Sequence, residues 1–226
     1  MHAFVVVPGG LACQLEPAEL RIIARVVADT AELLGTSLEE SAGALAAAAP
    51  PSAGAGGPSG SAPAPESHLD DGAGEAAVLA ALDWDPAGEE VPTDPALARL
   101  FPPASTEDEA LAGEMRRLTE GSLRAEKVGR LALVWSALRA SSGVVVVRDG
   151  TEPQWLAALN DVRLVLSARL GIEDEHDAEA VYGRTAAGEP EDEADALESA
   201  LASLYTALTW WQESLLDAMS TRGRGH

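Results

Sequence analysis

The chain is poor in most residues that carry recognisable chemistry. Cys13 is its single cysteine among 226 residues. No disulfide can therefore close within the chain, and no paired thiolate ligands exist. Lys127 is the single lysine, against fourteen arginines. Aromatics make up 4%, which leaves most of the packing to Leu, Val and Ala. Fifteen Lys and Arg face 37 Asp and Glu, a net charge of -22 with a pI near 4.3. Such a surface repels nucleic-acid phosphates and anionic membranes. Direct DNA reading would need a strongly segregated basic face, and the arginines are mixed with carboxylates. No apolar run is long enough to cross a bilayer, and no basic region followed by an apolar stretch opens the chain. A soluble cytoplasmic protein is expected. His2, His68, His176 and His226 fall at the ends or in loop-like stretches. There is no glycine-rich phosphate loop after a strand and no GxSxG elbow. No nucleophile, base or cofactor site can be assembled, and the acidic cluster around His176 reads as a solvated loop rather than a metal site, so the expectation is a non-enzyme without cofactor.

What remains is architecture. Hydrophobic residues make up 46%, enough for one substantial core. Ala3 to Val7 is β-branched, Pro8-Gly9-Gly10 signals a turn, and Leu11 to Leu15 returns, which predicts a hairpin. Glu16-Pro17 opens a helix whose apolar stripe is Leu20, Ile23, Val27, Ala31 and Leu34, with Gly35 as its stop. From 41 to 90 the composition turns to Ala, Gly, Pro and Ser. It cannot bury enough surface to offset the entropy of ordering, so a disordered insertion is expected. Thr93 or Asp94 can cap a short helix from Pro95. Gly143 to Arg148 contains four valines in a row, which predicts a buried strand joining the hairpin. Helices are predicted from Thr151 to Leu170 and from Ala194 to Met219, with a polar loop between them and a frayed tail at 221–226. The fold class is therefore α+β and mainly helical. A small antiparallel three-stranded sheet, the hairpin plus the strand near 143–148, packs on about four main helices. Residues 1–40 and 91–220 form a single domain.

The longest element is predicted from Thr106 to Ala140, capped by Ser105 or Thr106. Leu111, Met115, Leu118, Ala125, Val128, Leu131, Trp135 and Leu138 recur at steps of three and four, which predicts one inward face. Beside this stripe run Glu114, Arg116, Arg117, Glu120, Arg124 and Lys127. On the helix after the valine strand, Asn160, Asp161 and Arg163 interrupt an otherwise apolar surface. Buried polar groups need partners. One reading is an internal ion-pair network, with Asp161 supplying a carboxylate to the surplus cations. The other is an arginine-rich docking surface for a partner. Angles measured from Met115 and Leu118 place Arg117 and Arg163 inward, and Arg116 and Lys127 outward. Cys13 reads as a small apolar strand residue. A redox role for it would need a sulfenic acid, a mixed disulfide or an intermolecular bridge.

Four segments carry a resemblance: DPALARLFPPA (94–104), EMRRLTEGSLRAEK (114–127), WLAALNDVRLVLSARLG (155–171) and LYTALTWWQESLLDAM (204–219). With the Gly-Gly hairpin turn, they resemble an actinobacterial family long treated as a domain of unknown function. Its named branch is the AosR-like oxidative-stress transcriptional regulators. The similarity covers nearly the whole chain outside the insertion. It departs at Met115, where the family pattern carries an aromatic. The resemblance implies a cytoplasmic regulator acting through a protein partner, a sigma factor or RNA polymerase component. An adaptor or structural protein, for example one tied to proteolysis, is the alternative.

Overall fold

The computed structural model describes residues 1–42, 94–105, 108–184 and 193–224. Residues 43–93, nearly all of the segment expected to be disordered, lie outside these. Its first residues, Ser41 and Ala42, are helical, in a turn begun by Ser37, whose Oγ accepts the Glu40 N–H at 3.3 Å.

Three strands form one antiparallel sheet in the order β1 (Val5–Val7), β2 (Gly10–Gln14), β3 (Val144–Arg148). Gly10 sits where the turn passes closest to β3. Its φ is +157°, and a Cβ there would fall 2.0 Å from the Val147 carbonyl oxygen, so only glycine fits. In register, Leu11 pairs with Val147 and Cys13 with Val145, and these four side chains are buried. Val144 and Val146 alternate to the other face and are exposed. The valine run is thus a half-buried strand rather than a fully buried one, because helices cover one face of the sheet.

Besides the helical turn at 38–42, six helices are described: α1 (Pro17–Leu33), α2 (Pro95–Leu100), α3 (Glu109–Ala140), α4 (Glu152–Arg169), α5 (Glu175–Arg184) and α6 (Glu193–Arg224). Local chemistry sets their ends. Glu16 and Glu19 make a reciprocal capping box ahead of α1, with Pro17 at its first position. Asp94 Oδ1 accepts the Ala96 N–H at 2.7 Å to start α2. Gly171, with φ +66°, lets the Ile172 N–H return to the Ser167 carbonyl at 2.9 Å and end α4. The molecule is α+β and mainly helical, with α1, α3, α4 and α6 as its main helices. The centre is α4, which packs against α2, α3, α6 and α1. Phe4 stacks on Trp211 at 5.1 Å, and Trp155 meets Trp211 edge-on at 6.1 Å. These rings join the sheet to α4 and α6.

Two expectations fail in the C-terminal third. The stretch expected as a loop contains α5. Asp174 and Asp177 cap it reciprocally: Asp174 Oδ1 accepts the Asp177 N–H, and Asp177 Oδ2 accepts the Glu173 N–H. Val181 anchors it in the core. The acidic density of this stretch masked a cap followed by one apolar anchor. The tail expected to fray instead continues α6 to Arg224, because Arg222 is gripped by Asp149 and Glu152. Along this helix Leu208, Trp211 and Leu215 are buried, whereas Leu197 is exposed.

Candidate functional site

The polar residues singled out along 114–127 and 160–163 lie mainly on α3 and α4, and most of them meet each other. α3 starts three residues later than expected. Asp108 is its cap, accepting the Leu111 N–H at 2.9 Å, while Ser105 Oγ accepts the Asp108 N–H at 3.0 Å.

The expected inward stripe holds only in the second half of α3. Leu131, Val134, Trp135 and Leu138 are buried, whereas Leu111, Met115 and Leu118 are 49%, 41% and 64% exposed. In the first half the side chains that face inward are Ala112 and Arg116, both buried, with Glu120 half-buried on the same side. The predicted division of the arginines is therefore reversed at two positions. Arg116 is inward at 8% exposure, and Arg117 stands on the outer surface. The cause is geometric: neighbouring helical positions differ by about 100°, so turning Met115 and Leu118 outward swings Arg116 inward. Lys127, expected outward, is also drawn in.

At the α3–α4 junction Asp161 is 1% exposed. Its Oδ1 accepts Lys127 Nζ at 2.8 Å, and its Oδ2 accepts Arg130 Nε at 2.8 Å and Nη2 at 2.6 Å. Both carboxylate oxygens are thus occupied by cations of the facing helix. Asp161 is the carboxylate that the internal reading of the sequence names, as against a partner's surface. Arg130 was missed, although it follows Lys127 by three positions and so shares its face. One turn back, Glu120 Oε1 binds Arg124 at 2.6 Å, and Arg124 Nη1 reaches the Leu34 carbonyl at the end of α1 at 3.2 Å. The Arg124 guanidinium also lies 4.9 Å from the Phe101 ring centroid. Arg116 Nη1 and Glu120 Oε2 stand 3.9 Å apart, near enough to attract but too far to hydrogen-bond.

Arg163 faces α6. It donates to Thr209 Oγ1 at 2.9 Å and Gln212 Oε1 at 2.8 Å, and lies over the Tyr205 ring. Asn160 and Glu114 are exposed. They take no part in this network. Arg99, not foreseen, ties α2 to α4 through Ser167 Oγ at 3.0 Å and the Ile172 carbonyl. The polar residues are therefore mostly tethers between helices. Such tethers fix geometry more than they stabilise, because desolvating each charge offsets much of the attraction.

Cys13 is buried on the inner face of the sheet. Burial pushes its thiol up to about 12; the Trp211 indole and the N-terminal ammonium pull weakly the other way. At neutral pH it is a thiol rather than a nucleophilic thiolate. Among the described residues no group of three or more His, Cys, Asp or Glu is placed to hold a metal. Nor is any of their helices long and apolar enough to cross a membrane.

No curated protein and no solved structure matches the chain. A family profile described as a domain of unknown function, DUF2017, matches residues 1–219. That match spans the hairpin, the α3–α4 network and almost all of α6, and the chain belongs to this family.

Proposed function

We propose that this protein is a non-enzymatic, cytoplasmic regulator that acts on transcription by binding a protein partner. The resemblance to the AosR-like oxidative-stress regulators of actinobacteria suggests what the partner is: a sigma factor or an RNA polymerase component. The observation that carries the reading is the outward stripe of α3. Leu111, Met115 and Leu118 are large, apolar and exposed in a line, on a helix whose other side is fixed by a hydrogen bond to the end of α1 and by ion pairs to α4. Aligned exposed apolar side chains on a rigid element suit protein contact. The arginines suit it less, since Arg124 and Arg130 are engaged internally.

Tagged full-length protein recovered from oxidant-treated cells tests this against a Met115→Glu/Leu118→Glu variant. The expected result is a sigma factor or polymerase subunit that co-purifies with the wild type. It should be lost from the variant, whose melting temperature is unchanged. Recovery of protease components by the wild type instead would favour an adaptor without a transcriptional role.

A further inference from the structure

The ion pairs leave some arginines over. Among arginines with described side chains, Arg21, Arg139 and Arg148 have neither a carboxylate nor a hydrogen-bond acceptor. Two of these three line one groove between α1 and the C-terminal end of α3, with a volume of about 470 Å³. Its floor is apolar: Leu20 and Ala24 from α1, Trp135 and Leu138 from α3. Arg21 stands on the α1 wall and Arg139 on the α3 wall, with the Arg139 guanidinium 5.7 Å from the Trp135 ring centroid. Arg25 also reaches the rim but is held by Asp29 at 2.7 Å. Glu39 is the one carboxylate lining the groove.

In a chain with 37 acids and 15 bases, two arginines without carboxylates on opposite walls of one apolar groove are not a consequence of composition. We propose that this groove binds a small carboxylic acid with an apolar body, its carboxylate between Arg21 and Arg139 and its chain or ring over Trp135 and Leu138. A guanidinium offers paired N–H donors that match a carboxylate, and it stacks on aromatic faces. The volume lies within the usual small-ligand range of about 300–1,000 Å³. Charge favours a small ligand over an acidic peptide. Repulsion from the rest of the surface is screened beyond about 8 Å at physiological salt. One carboxylate at a locally cationic spot escapes most of that repulsion, whereas an extended acidic segment would carry its charges onto the surrounding acidic surface.

The test is calorimetric titration of the full-length protein with sodium octanoate, with octanol and octylamine as chain-matched controls. Octanoate should bind saturably at one site, with octanol and octylamine at least roughly tenfold weaker, as expected when a charge-assisted contact is lost. Arg21→Gln and Arg139→Gln, both exposed and so tolerated by the fold, should each weaken octanoate binding roughly tenfold. Their melting temperatures should stay at the wild-type value. The inference is overturned if octanol binds as tightly as octanoate, or if both glutamine variants retain full affinity. It also falls if no binding is seen up to about 10 mM octanoate, where even the weakest useful sites saturate. Tighter, competing binding by a peptide of alternating Glu and Leu would replace the small acid with a protein segment as occupant.

Discussion

The two halves of α3 are held to the molecule in opposite ways. From Glu109 to about Arg124, the inward side is Ala112, Arg116 and Glu120, and the large apolar residues face water. From Lys127 to Ala140, Leu131, Val134 and Leu138 fill the core, and Arg139 is outside. One unbroken helix thus changes from a polar to an apolar mode of attachment, with Lys127 and Arg130 at the changeover, both bound to Asp161. Apolar burial needs no exact geometry and stabilises in proportion to area. Charged contacts need exact geometry and return little net free energy. The first half should therefore be the less strongly held segment, and the one whose outer face is free for a partner.

Removing Asp161 attacks the changeover itself. Asp161→Ala leaves two half-buried cations without their carboxylate, and should cost about 3–5 kcal/mol. In a domain of this size that is a fall in melting temperature of about 10 °C. A melt within ~2 °C of wild type would mean that the tether contributes little and that apolar packing alone holds α3. Next in size is a matched pair of leucine truncations. Leu131→Ala, in the apolar half, should cost about 2–4 kcal/mol. Leu118→Ala, in the polar half, should change stability by less than ~0.5 kcal/mol. Equal losses, read by urea denaturation, would erase the distinction between the halves.

Acid gives the smallest effect and acts on tethers alone, since apolar packing does not titrate. Glu152 ties the start of α4 to Arg222 near the end of α6. Its burial opposes ionisation, but the Arg222 bond, backbone N–H groups and the Arg222 charge outweigh it and hold its carboxyl below the ordinary 4.5. Asp94 is likewise lowered, chiefly by its bond to Arg169. A carboxyl whose pKa is depressed on folding contributes its full stabilisation above the ordinary value, and loses it as pH falls through the lower folded one. Stability should therefore decline below about pH 4.5, and Glu152→Gln should make that decline shallower. Parallel pH profiles for the two proteins would remove this tether from the account.

Much of the fold was legible because its signals are local. Pro8-Gly9-Gly10, Pro17 at the first position of α1 and Asp94 as the cap of α2 act within a few residues, and each holds in the structure. The direction of the first half of α3 was not legible. Periodicity says that Leu111, Met115 and Leu118 share a face, but not whether that face meets protein or water. The adjacent face carries more cations than carboxylates, and the structure meets part of the surplus across the chain, with Asp161. The need for that carboxylate could be counted from the sequence; the side on which it would sit could not. α5 escaped for a different reason: among its described side chains only one large apolar residue, Val181, is buried, too little for a periodic signal.

The aromatic stack between Phe4 and Trp211 has a consequence for the order of events during synthesis. Roughly two hundred residues separate the two rings in the chain, and β3 pairs with β2 across more than a hundred. At about 5–20 residues per second, the hairpin leaves the ribosome roughly 10–40 s before α6 arrives to cover it. During that interval the Trp211 indole that lies against Cys13 is not yet in place. The burial that makes it inert in the finished protein is complete only once α6 has docked. An oxidant therefore meets this thiol more readily while the chain is still being made than after the molecule has folded.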